Sequence, residues 1–342
     1  MKKFKLSLML IFMSLLLFSA CGGGSGGSDD PDNPGDNPLL EINGDNYTYK
    51  LPGGTEFNLV LTPDIAVSKT FPTGTSDSVS ANVPTRFIIG ETEVTYQLWK
   101  EVYDWATSAD RGAKKYTFAN AGIKGNDGAA AKTAQHPVTT VSWRDSIVWC
   151  NALTEYYNAN NGSETDLECV YTYSGLIIRD SRDSNETACD GAVQKLSAKG
   201  FRLPGSIEWE YTSRYIGTSV PSHANYVLKD GVYYTKGNSA SGATAIWSNS
   251  SASSAVAVYN VSSTAVVKSK NESSANALGL YDMSGNVFEW CYEWHPSFVG
   301  SSRGIHSGAY SYSGDYLQVA FVGFGYPFNE YDYVGFRFCR SL

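Results

Sequence analysis

Apolar positions recur at helical spacing in two stretches of this chain and more briefly in a third. From Thr95 onward, Tyr96, Trp99, Val102, Tyr103 and Ala106 fall on one helical face. Ser142 precedes a second run, Ile147, Trp149, Cys150 and Leu153, and Asp145 occupies the acidic position of a capping box, with Asp in place of the preferred Glu. A shorter helix is predicted from Gly205, with Ile207, Glu208 and Tyr211 on successive turns. Residues 107–135, 160–199 and 217–275 are rich in Ser, Gly, Asn and Thr and show little periodicity, so they read as long loops. With 23 Tyr, 33 Gly and 13% aromatic residues, the remainder predicts many short strands and turns. The pattern describes an α+β protein with few helices and no tandem repeats.

The N-terminus has a different character. Lys2, Lys3 and Lys5 are followed by an apolar run from Leu6 to Phe18, too short to span a bilayer, and then by Ser19-Ala20-Cys21. This reads as an export signal over residues 1–20. The small residues before Cys21 resemble a bacterial lipobox, which implies acylation at Cys21, although Phe18 departs from the usual aliphatic position. The alternative is an ordinary secretory signal with an incidental cysteine. Residues 21–40, dominated by Gly, Ser, Asp, Asn and Pro, cannot bury a core and read as a solvated tether. Gly23-Gly-Ser-Gly-Gly27 matches a nucleophile-elbow pattern, but with no strand before it or helix after it the match is linker composition. Residues 41–342 then form one domain, since no second low-complexity break interrupts them.

A net charge of −8 without a clustered Lys/Arg stripe argues against nucleic-acid binding. The five cysteines after Cys21 (Cys150, Cys169, Cys189, Cys291 and Cys339) match no zinc spacing and contain no C-x-x-C. Export permits disulfides, but an odd count leaves at least one thiol free. His136, His223, His295 and His306 are scattered, which argues against a histidine-ligated metal.

Five blocks in register carry a resemblance. They are Phe87-Ile-Ile-Gly-Glu-Thr-Glu-Val-Thr95, His136-Pro-Val-Thr-Thr-Val-Ser-Trp-Arg-Asp145, Gly200-Phe-Arg-Leu-Pro-Gly-Ser-Ile-Glu-Trp-Glu-Tyr211, Asn276-Ala-Leu-Gly-Leu-Tyr-Asp-Met-Ser-Gly-Asn-Val-Phe-Glu-Trp290 and Val334-Gly-Phe-Arg337. In order and spacing they resemble the formylglycine-generating-enzyme (sulfatase-modifying factor) family, which implies a loop-rich C-type lectin fold over roughly residues 80–342. Fold alone does not give activity. The resemblance also implies a calcium site, with carboxylates from Asp282 and Glu289 and backbone carbonyls from Gly285 and Val287. Calcium takes six to eight oxygens, and a tight turn between two acids can supply several. The alternative is a loop held by hydrogen bonds. Arg202, Glu208 and Arg337 are expected to be structural buried charges, and Trp209, Trp290 and Trp294 core aromatics.

Catalytic members of that family resemble one another in a cysteine pair after an R-G-G-S-Tyr/Trp motif, which binds copper and oxidises a substrate cysteine. Here the register falls on His306-Ser-Gly-Ala-Tyr310, with Tyr312 at the first cysteine position and no cysteine between Cys291 and Cys339. The thiolates for copper are missing, so no copper is expected and the oxidase is the alternative reading. In their place, residues 306–333 carry Tyr310, Tyr312, Tyr316, Phe321, Phe324, Tyr326, Phe328, Tyr331 and Tyr333, interspersed with Ser313, Asp315, Gly323, Asn329 and Asp332. Tyr with Ser, Gly and Asn is the composition of a binding surface, combining amphipathic area with adaptable hydrogen bonds. The segment lacks Lys, Met and Trp, and only Gln318 and Glu330 fall outside what NNY codons encode. That bias resembles the variable region of retroelement-diversified surface lipoproteins of the Treponema type. The expectation is a non-catalytic, lipid-anchored, outer-membrane surface protein that binds a macromolecule, expected to be a protein, through residues 306–333. A structural envelope lipoprotein, with an aromatic β core there, is the remaining alternative.

Overall fold

The structure is a computed structural model that describes residues 39–64, 70–162, 166–270 and 274–342. The export signal, Cys21 and all of the tether except its last two residues lie outside these. Leu39 and Leu40 are buried in the core, so the fold begins two residues inside the stretch that reads as tether.

Two sheets organise the chain. The larger has six antiparallel strands in the order Leu40–Asn43, Asn46–Lys50, Glu56–Leu61, Phe87–Gly90, Cys339–Ser341 and Phe201–Arg202. The last strand of the chain thus lies between two strands that precede it by well over a hundred residues, and it closes the domain. The second sheet has the order Gly323–Gly325, Arg303–His306, Phe288–Trp294 and Val334–Gly335, with the last pair parallel. Three of its four strands come from or border the aromatic C-terminal segment.

The predicted helices form as their patterns require. Tyr96–Thr107 is capped by the Thr95 hydroxyl, which accepts from Leu98 N–H. Trp143–Asn158 has the full capping box, with the Ser142 hydroxyl accepting from Asp145 N–H and the Asp145 carboxylate accepting from Ser142 N–H. In Ser206–Arg214, Glu208 accepts the Gly205 N–H and also receives two N–H groups of Arg202 at 2.7 Å. The first two helices meet through Trp99 and Trp149, stacked 5.9 Å apart, with Phe336 edge-on to both. Burying such a ring removes about 150–250 Å² from water, worth roughly 4–6 kcal/mol as an upper estimate.

The stretches expected as loops contain more structure than predicted. Tyr226–Lys229 and Val232–Thr235 form a hairpin around Asp230-Gly231, both at positive φ, and short strands and a helix at Glu186–Asp190 occupy 171–194. Asp-Gly between alternating residues is a hairpin signal that periodicity alone does not register. Trp209 and Trp290 are core residues as expected, whereas Trp294 is half-buried and stacks on the Arg303 guanidinium at 3.4 Å. The five cysteines among the described residues are all buried and free.

The two sheets are joined by one buried ion pair. Arg337 and Glu289 are both fully buried, with Arg337 Nε and Nη2 donating to the carboxylate at 3.0 and 2.8 Å. Arg337 also donates to the carbonyls of Gly90 at 2.7 Å and Tyr281 at 2.8 Å, and Trp209 Nε1 donates to Glu289 at 2.7 Å. Arg337→Met leaves a buried carboxylate without its counter-charge and is expected to cost about 3–5 kcal/mol in urea unfolding. The double variant Arg337→Met/Glu289→Leu should recover part of that loss, because no unpaired charge remains. A single variant within 1 kcal/mol of wild type, an order-of-magnitude bound, would contradict this assignment.

Candidate functional site

The C-terminal segment is pinned at buried positions and presents its rings between them. Leu317 and Val319 are fully buried; Val319 N–H donates to Ser239 O at 2.8 Å, and Ser284 donates its hydroxyl to Leu317 O at 2.8 Å. Arg144 N–H donates to Pro327 O at 3.1 Å and Thr140 N–H to Tyr331 O at 3.0 Å, which fastens residues 326–331 to the start of helix Trp143–Asn158. Gly325 is required by close approach: a Cβ there would meet the Trp290 ring at 2.4 Å. Gly323 is also framework, since its Cβ would lie 3.0 Å from Ile305 and 3.2 Å from Phe321, so it faces its neighbours and not a ligand as the sequence suggested.

Phe288, buried on strand Phe288–Trp294, is the floor of this surface. Tyr312, Tyr316, Phe321 and Tyr333 surround it at ring distances of 5.0, 6.2, 6.4 and 6.2 Å, within the range of aromatic attraction. They also touch one another, Phe321 to Tyr316, Tyr316 to Tyr312 and Tyr312 to Tyr333, and Tyr333 stacks on Tyr331 at 5.2 Å. Each of these five rings is half-buried, with one face on the core and the rest toward solvent. Three rings are exposed: Phe324 (52%), on the sheet face where it packs against Phe298 and His295, and the pair Tyr326 (48%) and Phe328 (47%). Tyr326 and Phe328 stack at 5.6 Å, and Asn329 donates to the Tyr331 hydroxyl at 3.0 Å, joining the two groups.

The residues singled out by sequence therefore come together, with two corrections. Tyr310 is buried at 6% exposure, its hydroxyl donating to Asp332 at 3.3 Å; burial, then the Asp332 charge, push its phenol upward. It is a support for the surface and not part of it. Of the rings expected at the binding surface, Phe324, Tyr326 and Phe328 are exposed, while Tyr312, Tyr316, Tyr331 and Tyr333 show one face only. Ser313 is exposed and donates its hydroxyl to the Asp315 carboxylate. Sequence reading missed Phe298 and His295, which pack against Phe324 at 4.5 and 5.5 Å, and Arg144, whose guanidinium lies 5.5 Å from the Phe328 ring. Phe298 sits eight residues after the Trp290 block, in a stretch whose aromatic content was the available signal.

His306 is fully buried and stacked on Trp209 at 4.7 Å, and burial pushes it down to about 3, so it is neutral near pH 7. Cys291 and Cys339 lie in the second core cluster, where burial raises both thiols well above the ordinary range. Neither offers a thiolate to the surface around Tyr312.

The residues named for calcium are engaged in hydrogen bonds within the protein. The Glu289 carboxylate is occupied by Arg337 and Trp209, Asp282 accepts Lys268 N–H at 2.7 Å, and Gly285 O accepts the Ser307 hydroxyl at 3.1 Å. Val287 is tied through its N–H to Glu93 at 3.1 Å. Among the described residues no cluster of three or more His, Cys, Asp or Glu side chains could hold a metal ion. These hydrogen bonds hold the loop. Desolvation, reinforced by the neighbouring carboxylates, pushes Glu93 well above the usual range, and burial pushes Asp282 up to about 6.

The profile of the sulfatase-modifying factor enzyme 1-like domain matches residues 65–342. The chain is 26% identical over 250 residues to chaperone protein LppX of Paenibacillus barcinonensis, covering 70% of this chain and 75% of that protein. Among solved structures it is similar to Treponema denticola variable protein 1, with a TM-score of 0.60 and 25% identity, covering 87% of this chain and 99% of that one. It is also similar to CarF, with a TM-score of 0.54 and 25% identity over 80% of this chain and 96% of that one.

Two outcomes follow from this geometry. Single changes Phe324→Ser, Tyr326→Ser and Phe328→Ser should each shift unfolding free energy by under about 1 kcal/mol, whereas Leu317→Ala should cost about 2–5 kcal/mol. Equal losses at exposed and buried positions would contradict the separation of surface from frame. For the carboxyl cluster, Asp282 is raised in the fold, so its contribution is present below the unfolded value of 3.8 and is lost as pH rises through about 6. Asp282→Asn should therefore lose less melting temperature than wild type between about pH 4 and pH 6, and a chelator should leave the wild-type melting curve unchanged. A chelator-induced drop, reversed by added calcium, would restore the calcium site.

Proposed function

We propose that this chain, which belongs to the sulfatase-modifying factor enzyme 1-like family and has its C-type lectin fold, is a non-catalytic ligand-binding lipoprotein whose C-terminal surface is sequence-diversified. The observation that carries the reading is Tyr312. It stands at the position where the resemblance puts a catalytic cysteine, and it belongs to a row of rings resting on Phe288. Exposed rings such as Phe324 and the stacked Tyr326 and Phe328 add little to the fold, and such exposure marks an interaction site.

The reading is supported by the likeness to a protein named a variable protein and by a relative named a chaperone, neither name describing an oxidase. Tyr-rich contact residues on a fixed frame suit a macromolecular, protein-like partner, because each ring brings large area at low side-chain entropy cost. Attachment through an acylated Cys21, with the domain displayed at the outer membrane surface on residues 21–40, is the matching arrangement for a protein that meets its ligand outside the cell. The alternative, formylglycine generation, requires thiolates that this surface lacks.

The test is long-read sequencing of the locus across a clonally expanded population. Substitutions are expected in the codons of Tyr312, Ser313, Tyr316, Phe324, Tyr326, Phe328 and Asn329, at the positions where the template copy carries adenine. Leu317, Val319, Gly325 and Pro327 should stay fixed, and a near-copy of the 3′ end should lie beside a reverse-transcriptase frame. An invariant segment with no such copy would remove the diversified reading and leave a structural envelope lipoprotein. Formylglycine formed on a Cys-x-Pro-x-Arg peptide in the presence of copper would overturn the non-catalytic one.

A further inference from the structure

The segment that carries the aromatic rings is one-sided in charge. Residues 274–342 contain no lysine, and their three arginines, Arg303, Arg337 and Arg340, are all buried at 2% exposure or less. The exposed charges of the surface segment are therefore carboxylates, Glu330 and Asp332 among them.

The neighbouring loop extends the same sign. Arg144, beneath Phe328, is itself buried at 2% and is consumed by acids: Nε and Nη2 donate to Asp190 at 2.8 and 2.6 Å, and Nη1 donates to Asp183 at 2.9 Å. Glu186 lies 3.8 Å from the same guanidinium. The Asp183 and Glu186 side chains are 85% and 65% exposed, so one buried cation holds several carboxylates at the edge of an exposed ring. Arg182, next along the chain, is engaged by Asp180 through two N–H groups at 3.0 and 2.7 Å.

We infer that the surface selects a basic protein segment: arginine or lysine side chains flanking an apolar or aromatic anchor that packs on Tyr326 and Phe328. This rests on the reading of that surface as a ligand site and adds the partner's chemistry. Complementary charge at the rim guides encounter and excludes acidic competitors, while the rings supply the desolvated centre of the interface. An arginine can also stack on an exposed Tyr or Phe face while its guanidinium reaches a rim carboxylate.

The experiment uses the mature chain, immobilised, and a phage-displayed random peptide library as the probe. Enriched peptides are measured individually against wild type, Phe328→Ser, a rim variant (Asp183→Asn/Glu330→Gln/Asp332→Asn) and a control that removes the same number of charges elsewhere (Glu41→Gln/Glu56→Gln/Asp104→Asn). The inference expects peptides rich in arginine or lysine beside an aromatic residue. Their affinity should fall about tenfold or more in the rim variant, persist in the control and fall in Phe328→Ser. Association should also slow as salt rises through about 0.1 M, where the screening length nears 10 Å. Neutral or acidic peptides that lose binding in Phe328→Ser would overturn the inference and leave the binding-surface reading standing. Basic peptides equally weakened by the control would reduce the effect to net charge and overturn it too. No enrichment, or peptides indifferent to Phe328→Ser, would defeat both.

Discussion

Everything in this fold is referred to the Arg337–Glu289 pair. A fully buried guanidinium carries five N–H groups that must all find acceptors, and a buried carboxylate is tolerable only beside a cation or strong donors. Arg337 meets that demand by reaching the six-stranded sheet at Gly90 O, the second sheet at Glu289 and the intervening loop at Tyr281 O. Trp209 brings the third helix to the same carboxylate. Such a pair adds little net stability over well-packed apolar residues. It fixes geometry, because few relative placements of the two sheets satisfy every donor at once.

With the frame fixed from beneath, the surface can differ in side chains without differing in shape. Buried Leu317, Val319 and Pro327 and the close-packed Gly325 hold the backbone, and the rings on Phe288 spend one face on the core and one on solvent. An active site built for oxidation needs particular thiols at particular positions. A recognition surface needs only a rigid platform and adaptable contact groups. Under the proposed function the same scaffold serves the second purpose, with Tyr312 at the cysteine position.

Much of this was legible in the chain. The helix starts at Thr95 and Ser142 were readable because capping chemistry is local, and the five blocks fixed the fold because they span it. The Asp230-Gly231 hairpin was missed because a two-residue turn leaves no helical or extended period over a long window. No motif carries the fact that Glu289 faces Arg337, 48 residues later. The exposures of Tyr310 and Tyr312 differ by packing alone, since the two residues are identical and two positions apart. The acidic rim was out of reach as well, because Asp183 and Glu186 adjoin Phe328 only through Arg144.

The central claim is that residues 303–341 form a rigid frame whose exposed side chains are interchangeable. Its most direct test is a crystal structure of a variant with Ser313, Phe324, Tyr326, Phe328 and Asn329 all replaced by other polar or aromatic residues. The backbone over these residues is expected to superimpose on the present one within about 1 Å, with the Arg337–Glu289 pair intact. A rearranged backbone, or a chain that no longer folds, would show that these side chains hold the structure together and would contradict it.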